Sequence, residues 1–261
     1  YKQDGMPDAN DEYLIYQTLI GACDVQGDLN TVRDRIIGYM AKATKEAKVH
    51  TSWTNPDPDY DAAVSFFITA ILAEGSPFLE QFRPFQRRIA YFGRWNSLSQ
   101  ELLKLTSPGV PDTYRGTEGW DFSLVDPDNR RPVDYARYRS LLESLRSAVD
   151  YSELVAVADD DRLKLAVVKT ALNFRRDHPD YFVESDYVPL MTFGAKARHV
   201  VAFERVHDGS SVLVIAPRLP LMLTGGAEVP PMGDVWGDTG VLLASERAYR
   251  SVFTGETLNA G

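Results

Sequence analysis

Apolar residues recur at helical spacing through the first two-thirds of the chain and switch to an alternating period near Tyr181. Residues 11–20 read as a helix with Asn10 or Asp11 at its cap. Gly21 and Gly27 bracket a break. Asp28 stands where it would cap a second helix, whose stripe holds Val32, Ile36, Ile37, Met40 and Ala43 and which ends near Lys48. Pro56 and Pro58 make residues 50–59 a loop. Asp59 or Asp61 then starts a third helix through Val64, Phe67, Ile68, Ile71 and Leu72, stopping near Gly75. Residues 78–91 continue the pattern with Pro84 as a kink or boundary. Asn96 reads as the cap of a further helix through Leu98, Leu102, Leu103 and Leu105, ended by Pro108 and Gly109. Helices are also expected over residues 133–148 and 161–177. Strands are expected over 187–191, 200–206, 211–216, 235–243 and 249–253, divided by turn signals such as Asp208-Gly209. Together these strands predict a small antiparallel β-sandwich.

Between the helical part and the tail, residues 109–134 are rich in Gly, Pro, Asp and Asn. That is too long for a plain connector, and loops of this kind often carry function.

Composition narrows the partners. Of 261 residues, 44% are hydrophobic and 25% charged, so a packed core is expected. The formal net charge of −9 argues against nucleic acid and against an anionic membrane surface, both of which need basic surface. A neutral ligand such as a sugar suits it. The single cysteine, Cys23, cannot form an internal disulfide and fits a reducing, cytoplasmic location. No apolar run approaches the roughly 18 residues of a membrane span, and no signal peptide is visible. The chain opens at Tyr1 without Met, which suggests an upstream part has been removed.

Residues 102–135 carry a phrase in which Pro108-Gly-Val-Pro111 is followed by Tyr114-Arg-Gly-Thr-Glu-Gly119. It resembles the phrase at the last barrel strand of many α-amylase-superfamily enzymes. The continuation, Asp121-Phe-Ser-Leu-Val-Asp-Pro-Asp-Asn-Arg-Arg-Pro-Val-Asp134, resembles the maltooligosyltrehalose synthase family in particular. So do Glu12 to Gly21, Glu46 to Trp53 followed by Asn55-Pro-Asp57, and Asn96-Ser-Leu-Ser-Gln100. The family commonly has Gln and Leu where this chain has Arg115 and Gly119.

The resemblance implies an intramolecular transglycosylase that converts the reducing-end α-1,4 bond of a maltooligosaccharide to an α,α-1,1 bond. It would use the two-carboxylate logic of a retaining glycosidase. The family's nucleophile, acid/base and His-Asp motifs lie upstream of the matched region. The only such pair here, His207-Asp208, sits in a turn. The expectation is therefore a C-terminal portion of the enzyme with no catalytic residue of its own and no activity alone. The expected class is α+β: a helical segment over 1–106, the end of a TIM-type barrel with its rim loop and following helices over 107–180, and the sandwich over 181–261.

Within that frame Trp53, Trp120, Asp126, Arg130 and Arg131 are the candidate sugar contacts. Aromatic faces suit pyranose faces, while carboxylates and guanidinium forks bind hydroxyls. The plainer expectation is that both tryptophans anchor core or loop, and that Asp126 and Asp128 cap turns and pair with Arg130 and Arg131. Glu118 and Asp121 would be catalytic only if the chain were a complete, divergent glycosidase. His50, His178 and His199 read as structural. The doublets Arg87-Arg88 and Arg175-Arg176 read as partners for carboxylates. Asp57, Asp59 and Asp61 lack the glycine and distal glutamate of a calcium loop, and Gly225-Gly226 lacks the setting of a phosphate loop, so no metal or cofactor is expected. The rival reading is a stand-alone carbohydrate-binding or structural module. Oligomeric state is not legible.

Overall fold

The computed structural model describes residues 1–22, 27–146, 149–244 and 247–259; Cys23 lies outside them. The fold mixes helix and strand, with 51% of the described residues helical and 13% in strands. Two compact units divide the chain: Tyr1–Ala90 with Phe122–Pro132, and Tyr91–Asp121 with Val133–Gly261.

The first unit is built on α1 (Ala9–Ala22), α2 (Leu29–Ala47), α3 (Pro58–Ile71) and the start of α4 (Pro77–Thr106). Its core joins Ile15 and Leu19 of α1, Ile36 and Met40 of α2, and Phe67 and Ile68 of α3. The caps explain the boundaries. Asp8, ahead of the expected Asn10 or Asp11, accepts the Asp11 N–H at 2.8 Å, so α1 begins earlier. Asp28 caps α2 through the N–H groups of Asn30 and Thr31, as expected. The start of α3 is different. Asp57 accepts the N–H groups of Asp59 and Tyr60, and Pro58 occupies the first turn, where its missing N–H costs nothing. Pro58, read as a barrier to helix, is thus part of a helix start.

Two helices were expected where α4 runs unbroken for 30 residues. Pro84 lies on the exposed face, so the carbonyl it leaves unbonded is open to water, while Phe82 and Gln86 beside it are buried. Asn96 caps nothing. Phe92, Trp95 and Ser99 keep a buried stripe on either side of it, and the Ser99 hydroxyl donates to the Trp95 carbonyl.

The second unit carries α5 (Tyr135–Ser144), α6 (Tyr151–Ala156), α7 (Asp161–Asp177) and α8 (Asp180–Val183). Of these, α6 and α8 are too short for their periodicity to stand out. Trp95, Leu145, Leu154, Leu163, Leu165 and Ala166 form its core. In the tail, β1 (Asp186–Pro189), β3 (Val200–His207) and β4 (Ser210–Pro217) make an antiparallel sheet in the order β1-β3-β4. Asp208 and Gly209 both take positive φ, which suits the tight hairpin pairing His207 with Ser210. Two small ladders complete the tail: β2 (Thr192–Phe193) with β5 (Gly240–Val241), and β6 (Ala248–Arg250) with β7 (Thr257–Asn259).

Neither a two-sheet sandwich nor a last barrel strand is seen among the described residues. Residues 107–127 form no strand, and of the expected strand 235–243 only Gly240–Val241 is strand: Val235 and Trp236 end a 3-10 turn, Gly233–Trp236, followed by a Gly237 with positive φ. The Trp236 indole donates to the Pro231 carbonyl at 3.0 Å, which holds that segment in its turn.

Arg205 on β3 is almost wholly buried and donates to the Ser185 hydroxyl and to the carbonyls of Thr106 and Phe182. A buried cation is tolerated here because those acceptors replace its water. Among the described residues, no helix is long and apolar enough to cross a membrane.

Replacing Asp57 with alanine should remove the α3 cap while leaving Pro58 in place. The expected loss is about 1 kcal/mol, read as a lower urea midpoint at neutral pH.

Candidate functional site

The long loop is divided between the units. Residues 109–121 belong to the second, and Phe122–Pro132 to the first. Each part is fixed by a buried aspartate.

In the first unit that residue is Asp128, only 8% exposed, at the start of the 3-10 turn Asp128–Arg130. Its carboxylate receives Nε and Nη2 of Arg35 on α2, each at 2.9 Å, and the Leu124 N–H at 2.7 Å. Arg131 Nε lies 3.1 Å away. Burial alone would raise the Asp128 carboxyl. The Arg35 fork, the Leu124 amide and the charges of Arg35 and Arg131 outweigh it and hold the group below the usual carboxylate range. Arg35 also donates to the Phe122 carbonyl at 2.6 Å, and Arg131 reaches the Ser123 hydroxyl at 3.2 Å.

Asp126 projects from the same turn. It pairs with Arg130, and Lys42 of α2 donates to its carbonyl at 3.0 Å with the carboxylate 3.5 Å away. The Arg130 side chain is 74% exposed. The pairings Asp126 with Arg130 and Asp128 with Arg131 are the turn-capping arrangement the sequence suggested. Arg131 is taken up by the turn itself, while the side chains of Asp126 and Arg130 remain partly exposed.

In the second unit, Trp120 is half-buried. Its main-chain N–H donates to Asp161 at 2.6 Å and its indole Nε1 to the Asp160 carbonyl at 3.2 Å. The Lys164 ammonium stands 5.9 Å from the ring centroid. Burial depresses the Lys164 ammonium, partly offset by the carboxylates of Glu101, Asp121 and Asp161.

Trp53, in the loop before α3, is 63% exposed, and Lys45 lies 5.3 Å from its ring centroid. Of the two anchoring roles expected for a tryptophan here, core or loop, its exposure removes the core; the buried residue of this loop is Thr51, which accepts the Asp57 N–H. His50 is structural. Its Nε2 meets Asp8 at 2.8 Å and its ring stacks on Tyr60 at 4.4 Å.

The structure thus joins Asp126, Arg130 and Arg131 in one turn, while Trp53 sits elsewhere in the first unit and Trp120 belongs to the second. Sequence reasoning missed Arg35, Lys42, Asp161 and Lys164. For the first two a signal existed: they are seven residues apart on α2, a polar stripe beside the apolar one. Nothing in the sequence links Asp161 to Trp120.

The other candidates resolve into structural roles. Asp61 pairs with Lys45, Arg175 donates to the carbonyls of Leu105 and Gly109, and Arg176 pairs with Asp177. The His199 ring is buried against the Arg218 carbonyl, and His178 packs on Phe174. Among the described residues no group of three His, Cys, Asp or Glu is placed to hold a metal ion.

No protein-family model matches the chain. It is 36% identical over 218 residues, 83% of its length, to a putative maltooligosyl trehalose synthase of Mycobacterium tuberculosis. The structure of maltooligosyltrehalose synthase from Arthrobacter ramosus aligns with 95% of the chain at a TM-score of 0.76 and 35% identity, using 29% of that protein. A hypothetical maltooligosyl trehalose synthase of Sulfolobus tokodaii aligns with 95% of the chain at a TM-score of 0.69 and 30% identity, using 30% of that protein. These matches define one class, the trehalose-forming synthases of carbohydrate metabolism. The chain belongs to the maltooligosyltrehalose synthase family and spans about a quarter (26%) of the curated relatives it matches.

The Asp128 carboxyl is held below its unfolded value of about 3.9, so the unfolded state takes up protons first as pH falls. Its contribution is fully present above about pH 4 and is lost as pH drops through the folded value. Asp128→Ala should cost about 3 kcal/mol at pH 7, since it strands Arg35. In urea unfolding followed from pH 7 down to pH 3, the gap between parent and variant should narrow below about pH 4. A gap independent of pH would contradict the assignment.

Proposed function

We propose that this chain is the substrate-side, non-catalytic part of a maltooligosyltrehalose synthase. The reaction, rearrangement of the reducing-end α-1,4 bond of a maltooligosaccharide to an α,α-1,1 bond, belongs to the whole enzyme. The observation that carries the reading is the 36% identity maintained over 218 residues, a span broad enough to include helices, loop and tail together.

The chemistry needs two free carboxyl groups about 5–5.5 Å apart, one to attack the anomeric carbon and one to move the proton. Three aspartates in and beside the loop are poorly suited to either role. Asp128 is committed to the Arg35 fork, Asp161 to the Trp120 amide and Arg137, and Asp126 to Arg130 and Lys42. A carboxylate locked in such pairs cannot leave them to attack carbon, and one held ionised is a weak proton donor. On this reading the loop lies at the rim of a TIM-type barrel that supplies the reacting carboxyls. Trp120 stacks on a sugar ring, and the Asp126–Arg130 pair meets sugar hydroxyls. A cytoplasmic location accords with the single cysteine.

A stand-alone glucan-binding module is the second reading, favoured by the exposure of Trp53.

Incubated with maltopentaose, the chain alone should yield no trehalose-capped product by chromatography. In calorimetry it should bind maltopentaose in the millimolar range, weakened about tenfold by Trp120→Ala. Weakening by Trp53→Ala instead would favour the module. Formation of product would overturn the non-catalytic reading.

A further inference from the structure

Residues 116–120 are held against α5 and α7 with almost no slack. The Tyr138 hydroxyl on α5 donates to the Gly116 carbonyl at 2.9 Å. At Gly119 a Cβ would lie 2.7 Å from Asp161 Oδ1 and 2.8 Å from the Tyr138 hydroxyl, closer than real atoms pack. The absence of a side chain at 119 is what lets the next residue reach the carboxylate. Trp120 then donates its main-chain N–H to Asp161 at 2.6 Å, a charge-assisted bond, and its indole N–H to the Asp160 carbonyl. Both nitrogens of Trp120 are therefore satisfied by consecutive residues at the start of α7. Lys164, one turn further along α7, stands 5.9 Å from the ring centroid, the outer range of a cation–π contact.

Asp161 is itself buried, and its second oxygen pairs with Arg137, whose side chain is half exposed. The carboxylate is thus fixed on both oxygens before any ligand arrives. A tryptophan held at its main-chain N–H and at its indole N–H loses little freedom when a ligand stacks on the ring, so such a ring binds more tightly than a mobile one.

We infer that Asp161 is a positioning residue: it sets the indole of Trp120 as a pre-formed platform for a glucose ring, and Gly119 is the residue that makes this clamp possible. The inference rests on the reading of Trp120 as a sugar contact. A side chain at 119 would displace either the carboxylate or the loop.

The test is a double-mutant cycle on the full 261-residue chain, with maltopentaose as probe. Asp161→Ala should weaken calorimetric binding about tenfold, and Gly119→Ala should do the same. Asp161→Asn, which keeps an oxygen for the Trp120 amide, should retain most of the parent affinity and guards against a fold-level effect. In a Trp120→Ala background, Asp161→Ala should have no further effect, since the clamp then has nothing to hold. Additive losses in that cycle would overturn the inference while leaving Trp120 a sugar contact. If the parent shows no binding, or Trp120→Ala leaves it unchanged, the functional reading fails by itself. The near-UV circular dichroism band of Trp120, isolated by difference from Trp120→Phe, then decides the positioning. Its loss in Asp161→Ala but not in Asp161→Asn supports the clamp, and its persistence in Asp161→Ala overturns it.

Discussion

The bond on which the first unit's share of the loop depends is the fork between Arg35 and Asp128. Phe122–Pro132 holds no helix or strand beyond one 3-10 turn, so it cannot satisfy its own backbone or bury much surface. Arg35 supplies what is missing. It presents Nε and Nη2 to the carboxylate and carries Nη2 on to the Phe122 carbonyl, while the same carboxylate takes the Leu124 N–H. One guanidinium thus fixes the loop at its entry and at its turn, and Leu124 is drawn against the helical core. A buried ion pair stabilises only when its remaining hydrogen-bonding capacity is used. Here Arg131 and the loop amide fill it, which is why the fork orders the segment around it.

Helical content was the most legible part of the fold because it depends on repeated, redundant signals. Asp28 and the stripe from Val32 to Met40 mark α2 independently, and the structure follows both. Boundaries rest on single residues and were read less well. Pro58 looks the same in sequence whether it forbids a helix or begins one; only the preceding Asp57 cap decides. Pro84 and Asn96 look like breaks because their local meaning is unfavourable to helix, yet buried residues on either side carry α4 through them. Tertiary burial outweighs a local cost of that size. The tail failed differently. Val235 and Trp236 have strand character, but glycines at 233 and 237 and the pull of the Trp236 indole on Pro231 turn the chain first.

For the candidate site, the loop itself and its short-range ion pairs were legible, since an aspartate three or four residues from an arginine is a local pattern. The long-range partners were not. Arg35 and Asp128 are 93 residues apart, and Trp120 and Asp161 are 41 apart. No period or motif connects them; only the packed helices do.

The two anchors follow one plan. Asp128 and Asp161 are each buried, each accepts a loop N–H, and each is paired with an arginine from a helix. A carboxylate suits this role because it accepts several donors at once and its charge strengthens each of them. The same commitment removes both groups from chemistry. In the first unit this leaves Arg130 exposed beside Asp126; in the second it leaves the Trp120 indole half-buried. Fastening of this kind trades freedom for order: an aspartate held by an arginine and a loop amide orders the segment around it and is itself no longer free to move.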